Sequence, residues 1–161
     1  MLVLSLFAAC DAPPSDSYPS TAILPETTAR QIINDILANP AKTTLGLGDR
    51  EVTDQDLLLL ANNNHINSII IDNSVLSENG LAPLTSMGNL IQLRIRSPLT
   101  DTAIPLILNM KSLRYLNLPR ADFTDTGIKS LSAHPNIELL RIGSKRLSNK
   151  SLESIATLSS L

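Results

Sequence analysis

Four short stretches of the chain place apolar residues at positions 1, 4 and 6 of a seven-residue window. They are INSIIID from Ile66, LIQLRIR from Leu90, LRYLNLP from Leu113 and IELLRIG from Ile137. Their first residues are 90 − 66 = 24, 113 − 90 = 23 and 137 − 113 = 24 apart. One step of 24 back from Ile66 reaches Lys42 and KTTLGLG, where Leu45 and Leu47 keep positions 4 and 6 while Lys42 breaks position 1. One step of 24 forward from Ile137 reaches Leu161. Apolar residues two apart mark a strand with one buried face. The spacing therefore predicts five strands, beginning near residues 43, 67, 91, 114 and 138.

The second half of each unit also repeats, as VTDQDLLLL, LSENGLAPL, LTDTAIPLI, FTDTGIKSL and LSNKSLESI. Thr53, Ser77, Thr100, Thr124 and Ser148 are placed to cap short helices, and Asp54, Glu78, Asp101 and Asp125 put negative charge on the first turn, where the helix dipole favours it. Each unit thus reads as strand, loop, capped short helix and return loop. Pro83 and Pro105 fall inside the expected helices, which should be short or kinked there. The third unit is one residue shorter, a deletion that fits the loop before Leu99. Such a unit cannot bury both of its faces alone, but stacked units share one continuous core. Upstream, PETTARQIINDILANP sets Ile32, Ile33, Ile36 and Leu37 at helical spacing and closes on Asn39-Pro40. This predicts a helix over about 26–38, within a segment 25–40 that can cover the open core of the first unit.

Through LRYLNL, IELLRI and TDTGIKSL the chain resembles the leucine-rich-repeat family, and in the last of these its ribonuclease-inhibitor-like and cysteine-containing branches. The resemblance implies an α/β leucine-rich-repeat solenoid over residues 41–161. That is a right-handed β-α superhelix of five repeats, with a parallel concave sheet and short helices on the convex side. One feature departs from the family. Its usual Asn or Cys three places after the last strand Leu is replaced by Arg50, Ser74, Pro98, Ala121 and Lys145. Without that ladder, the turns are expected to pair their backbone groups with water or with each other. The chain stops on the first apolar position of a sixth unit, as a truncated reading frame would.

Composition adds three constraints. Hydrophobic residues make up 43% of the chain and aromatics 2%, with no Trp, so Leu and Ile must build the core. A net charge of −2 gives no electrostatic reason to expect nucleic acid. The single cysteine, Cys10, excludes an intrachain disulfide. It follows MLVLSLFAA (residues 1–9), an apolar run far shorter than the about 20 residues that span a bilayer. With Ala8-Ala9 before it, Cys10 resembles the lipidated residue of a bacterial lipoprotein. That implies export, a flexible Pro/Ser tether over 10–24 and a lipid anchor in the cell envelope. Phe7 stands where that family's signal usually has Leu, and the positive n-region is missing, so the true start is expected upstream.

No catalytic constellation emerges. His65 and His134 occupy return loops at different repeat positions and read as satisfied loop histidines. The acidic run 49–56 lacks the Gly and terminal Glu of a calcium loop. Gly46 and Gly48 are not followed by the Gly-Lys-Ser/Thr of a phosphate loop. The expectation is a non-enzyme with no metal and no cofactor.

Strand positions 2, 3, 5 and 7 point away from the core. They gather Arg94, Arg96, Arg114 and Arg141 with Tyr115 and Asn117, and Arg120 lies at the strand's end. Within the third to fifth units, Glu138 is the one carboxylate expected on this face. Arg and Tyr are enriched where interfaces carry energy. The expected function is a protein-interaction scaffold whose concave face meets an acidic or phosphate-bearing surface of a protein partner. Two alternatives are a structural spacer of the envelope and a substrate-recognition or regulatory subunit of an enzyme complex. Export disfavours the latter.

Overall fold

Five strands lie side by side in one parallel sheet: β1 (Thr44–Gly46), β2 (Ser68–Ile71), β3 (Gln92–Ile95), β4 (Tyr115–Leu118) and β5 (Leu139–Ile142), in the order β1-β2-β3-β4-β5. The structure is a computed structural model that describes residues 27–161 apart from Val75. The apolar leader, Cys10 and the tether lie outside the described residues. Each strand begins one residue beyond its expected start. Register keeps position 4 level across the sheet, as Leu45, Ile69, Leu93, Leu116 and Leu140. A parallel neighbour requires a crossover through a second layer, and the short helices supply it. Between the layers lies a core of Leu and Ile, with Leu45, Leu47, Ile69, Ile71, Leu93, Ile95, Leu116 and Leu118 fully buried.

The helical layer varies from unit to unit. The first unit has α2 (Asp54–Leu57) running into a 3₁₀ turn, Leu58–Leu60. The second is 3₁₀ throughout, Glu78–Ser86, with Pro83 inside it. The third opens with a 3₁₀ turn, Asp101–Ala103, and continues as α3 (Ile104–Asn109). Pro105 therefore falls in the first turn of α3, where no amide is required of it. The fourth and fifth have α4 (Asp125–Leu131) and α5 (Lys150–Ile155). Ser77 and Thr124 cap as expected, accepting from Gly80 N at 3.3 Å and Gly127 N at 3.2 Å. Thr53 instead donates its N–H and hydroxyl to Asp56. The N-cap of α5 is Asn149 rather than Ser148.

The first-turn carboxylates do more than face a dipole, because each reaches across to the next unit. Asp54 accepts from Ser77 N (3.0 Å) and Oγ (2.6 Å). Asp101 accepts from Thr124 N (2.9 Å) and Oγ1 (2.5 Å), and Asp125 from Ser148 N (2.8 Å) and Oγ (2.6 Å). Glu78 takes the hydroxyl of Thr100 at 2.7 Å. This ladder explains Gly80 and Gly127: a Cβ there would meet Asp54 Oδ1 at 2.1 Å or Asp101 Oδ1 at 2.0 Å.

The return loops carry a second ladder, made of side-chain bonds to the preceding unit. The residue just before each position 1 donates to a carbonyl of the preceding unit. Asn89 Nδ2 reaches Asn64 O (2.8 Å), Ser112 Oγ reaches Gly88 O, Asn136 Nδ2 reaches Lys111 O (2.7 Å) and Ser160 Oγ reaches Pro135 O (3.1 Å). Beyond the strands, the one-residue deletion shifts Ser97, not Pro98, opposite Ser74. Their hydroxyls meet at 2.8 Å, and Ser97 Oγ also donates to Ser74 O.

At one end of the sheet, α1 (Ala29–Leu37) packs on α2 and on the turn Leu58–Leu60. Thr28 and Gln31 form a capping box, Ile33 and Ile36 are buried, and Ile32 and Leu37 are half-buried against the same core. Arg50 Nε donates to Thr27 O at 2.7 Å, and Arg30 lies 3.4 Å from Asp56. At the other end, Leu140 and Ile142 are partly exposed, although their counterparts in the inner strands are fully buried. Among the described residues no helix is long and apolar enough to cross a membrane.

Candidate binding surface

Alternation along the strands sends positions 3 and 5 to the side of the sheet away from the helices. Register then lines them up across it. Position 3 reads Thr44, Ser68, Gln92, Tyr115, Leu139, and position 5 reads Gly46, Ile70, Arg94, Asn117, Arg141. The rows begin with small residues on β1 and end with large ones on β5. Tyr115 is 39% exposed and Leu139 50%. Arg94, Asn117 and Arg141 thus share one row, at about 4.8 Å per strand. Arg96 directly follows β3 and Arg114 directly precedes β4. Arg120 stands apart, in a depression beyond the strand ends with Pro98, Asp122 and Lys145.

The arginines are partly neutralised, and one of the two carboxylates comes from outside the third to fifth units. Asp72, at position 7 of the second unit, lies across from the third. Its Oδ1 is 2.8 Å from Arg94 Nη2 and 3.3 Å from Arg96 Nε. Arg114 Nη1 lies 2.6 Å from Glu138 Oε1. Arg120 and Arg141 form no ion pair among the described residues. Without Arg120, four arginines less two carboxylates leave the face at +2 among the described residues. Arg94 Nε and Asn117 Oδ1 are buried atoms without hydrogen-bond partners among the described residues, on adjacent strands. Asp72 Oδ1 also lacks an aligned hydrogen bond despite its two short ion-pair distances. A donor and an acceptor thus lie unpaired beneath the middle of the face, each at a cost of about 1–3 kcal/mol.

Two residues of the surface were not singled out in the sequence. Asp72 could have been found by comparing position 7 between adjacent units, since strand spacing brings them together. Leu139 could have been found as an apolar residue at an outward position.

The two histidines are engaged elsewhere. A carbonyl only accepts and an amide N–H only donates, so His134 is the Nε2–H tautomer. It donates to Met110 O (3.1 Å) and accepts from Asn136 N (3.3 Å) at Nδ1. Burial holds its pKa below the usual value, against the opposing effect of the Met110 carbonyl. His65 likewise donates to Ile36 O (3.2 Å) and accepts from Asn63 Nδ2 (3.2 Å). Hydrogen bonds from Thr100 and Ser148 hold the carboxyls of Glu78 and Asp125 below their usual range. Among the described residues, no group of three or more His, Cys, Asp or Glu side chains converges where a metal ion would be held.

No protein-family model matches the chain, and no curated protein matches its sequence.

Proposed function

We propose that the chain is a leucine-rich-repeat solenoid, with a concave sheet and convex helices, acting as a non-catalytic scaffold that binds an acidic surface of a protein partner. The observation that carries this reading is the Arg94–Asn117–Arg141 row with Tyr115 and Leu139 exposed beside it. The face offers what anchors an interface: an aromatic ring, an aliphatic side chain and guanidinium groups in excess over carboxylates. The non-catalytic reading is supported by the two histidines, whose ring nitrogens are all committed to structural bonds. The repeated carboxylates are likewise committed to capping the next unit. The proposal includes export and a lipid anchor on Cys10, from the Ala8-Ala9-Cys10 pattern.

The test is capture from an extract of the source cells by the immobilised protein and by an Arg94→Glu/Arg141→Glu double variant. A partner bound by the first and lost from the second is expected. Capture of the same proteins in equal amount by both contradicts the reading. The mass of the mature N-terminal peptide tests the anchor: a lipid-modified Cys10 at the N-terminus is expected, and an unmodified Cys10 behind Met1 contradicts it.

A further inference from the structure

A groove of about 530 Å³ follows the rim where the chain enters the strands, separate from the Arg94–Asn117–Arg141 row. Four successive units contribute to it, chiefly through Asn64, Asn67, Asn89, Lys111, Arg114 and Asn136. The return-loop ladder uses only one end of each of three of these amides. Asn89 and Asn136 give Nδ2 to the preceding unit and keep Oδ1 without a partner among the described residues. Asn64 uses Oδ1, accepting from Gly88 N at 3.2 Å, and keeps Nδ2. The Asn67 side chain makes no hydrogen bond among the described residues. The groove therefore presents both donors and acceptors, repeated at about the 4.8 Å strand spacing. Hydroxyl groups, which donate and accept at once, match such a row.

Charge narrows the ligand further. Among the described residues no carboxylate lines the groove. Lys111 has no ion-pair partner among the described residues, and the only one of Arg114 is the solvent-exposed Glu138. Lys111 is open to an anion, and Arg114 keeps Nε and Nη2 beside it while Nη1 holds Glu138. Other polymers fit less well. Ile91 is the one apolar lining side chain among the described residues, which leaves a peptide without the buried anchor that interfaces rely on. Among the described residues no Phe, Tyr or Trp lines the groove, so single-stranded nucleic acid would find no stacking platform there.

We propose that this groove binds an acidic oligosaccharide, with its hydroxyls on the asparagine row and its carboxylate on Lys111 and Arg114. The groove shares Arg114 with the protein-binding face but not Arg94 or Arg141, so the Arg94→Glu/Arg141→Glu variant and the Lys111 and Asn67 variants test the two proposals separately.

The test is calorimetric titration of the full chain with a short oligogalacturonate, its uncharged methyl ester, a polyglutamate peptide and an oligouridylate. Saturable binding of the acid is expected, weakened about tenfold by esterification, the worth of one charged hydrogen bond. Lys111→Gln weakens it to the same degree and Lys111→Arg restores it. Asn67→Leu weakens it several-fold. None of these three removes a structural side-chain bond, and a melting curve for each checks folding. Arg141→Glu, outside the groove, leaves binding unchanged. The proposal is overturned if the acid does not bind, or if the ester, peptide or oligouridylate binds equally well. It is equally overturned if folded Lys111→Gln and Asn67→Leu variants keep full affinity, or if Arg141→Glu abolishes it.

Discussion

Replacing Gly127 with Ala tests whether the carboxylate ladder holds neighbouring units together. In an ordinary helix this change stabilises by about 0.5–1 kcal/mol, because glycine loses more backbone freedom on folding. Here the new Cβ would sit 2.0 Å from Asp101 Oδ1, 2.5 Å from its Cγ and 2.9 Å from Ile104 Cδ1. The carboxylate would have to swing away, giving up Thr124 N at 2.9 Å and Thr124 Oγ1 at 2.5 Å. Hydrogen bonds to a charged group contribute about 1.5–3 kcal/mol each. Asp101 and Thr124 are half-exposed, so water recovers part of the loss. A net destabilisation of about 1–2 kcal/mol remains, the opposite sign from the ordinary case. Urea or thermal unfolding reads it directly, at about 4 °C of melting temperature per kcal/mol for a domain of this size. The background decides the mechanism. Once Asp101→Ala has removed the carboxylate, Gly127→Ala should become neutral or stabilising. Gly88→Ala, whose nearest contact would be an ordinary 3.5 Å, serves as the control. If Gly127→Ala stabilises the wild-type chain, or costs the same without Asp101, the ladder does not account for the glycine.

Three further outcomes follow from the same structure. The folded-state pKa values of His134, Glu78 and Asp125 all lie below their ordinary values of 6.5, 4.5 and 3.8, so each group contributes stability that is present above its unfolded pKa and lost as pH falls through the folded one. Unfolding free energy should therefore hold above about pH 6.5, decline first as His134 protonates, and decline again below about pH 4.5; His134→Gln should flatten the first decline, and a stability rising on acidification from pH 7 to 5 would contradict the assignment. Ile33 is fully buried, so Ile33→Asp should destabilise by a few kcal/mol, the cost of burying an unpaired charge; an unchanged melting temperature would show that α1 does not cover the core. Ser97→Ala should cost about 1–2 kcal/mol, because the buried Ser97 hydroxyl bonds to Ser74 and accepts from Leu76 N at 3.4 Å; a neutral effect on unfolding would remove that link from the account.

The strands were legible because register and burial act together. Positions 4 and 6 must point inward in every unit, and a slip of one residue would expose them all. Ile69, Leu93 and Leu116 therefore announce themselves at intervals of 24 and 23 residues. The helical layer was less legible, since Pro83 and Pro105 look alike in sequence. One lies within a continuous 3₁₀ stretch, while the other opens an α-helix after a short 3₁₀ turn. The links between units were the least legible. Asp101 in isolation looks like a first-turn charge on its own helix, and only the stacking of units brings its oxygens onto Thr124. Ser97 was hidden by the one-residue deletion, which made Pro98 look like the turn position. On the candidate surface, the arginines were visible as outward positions. Their neutralisation by Asp72 was not, because it is supplied by the adjoining unit.

The central claim is that the outer face of the sheet binds a protein partner through its arginines. It is tested most directly by binding isotherms of the captured partner with the wild-type chain and the Arg94→Glu/Arg141→Glu variant, at low and high salt. The account predicts a wild-type affinity that weakens as salt screens the contact, and at least about a tenfold loss in the folded double variant. Equal affinity for both chains at every salt concentration would contradict it.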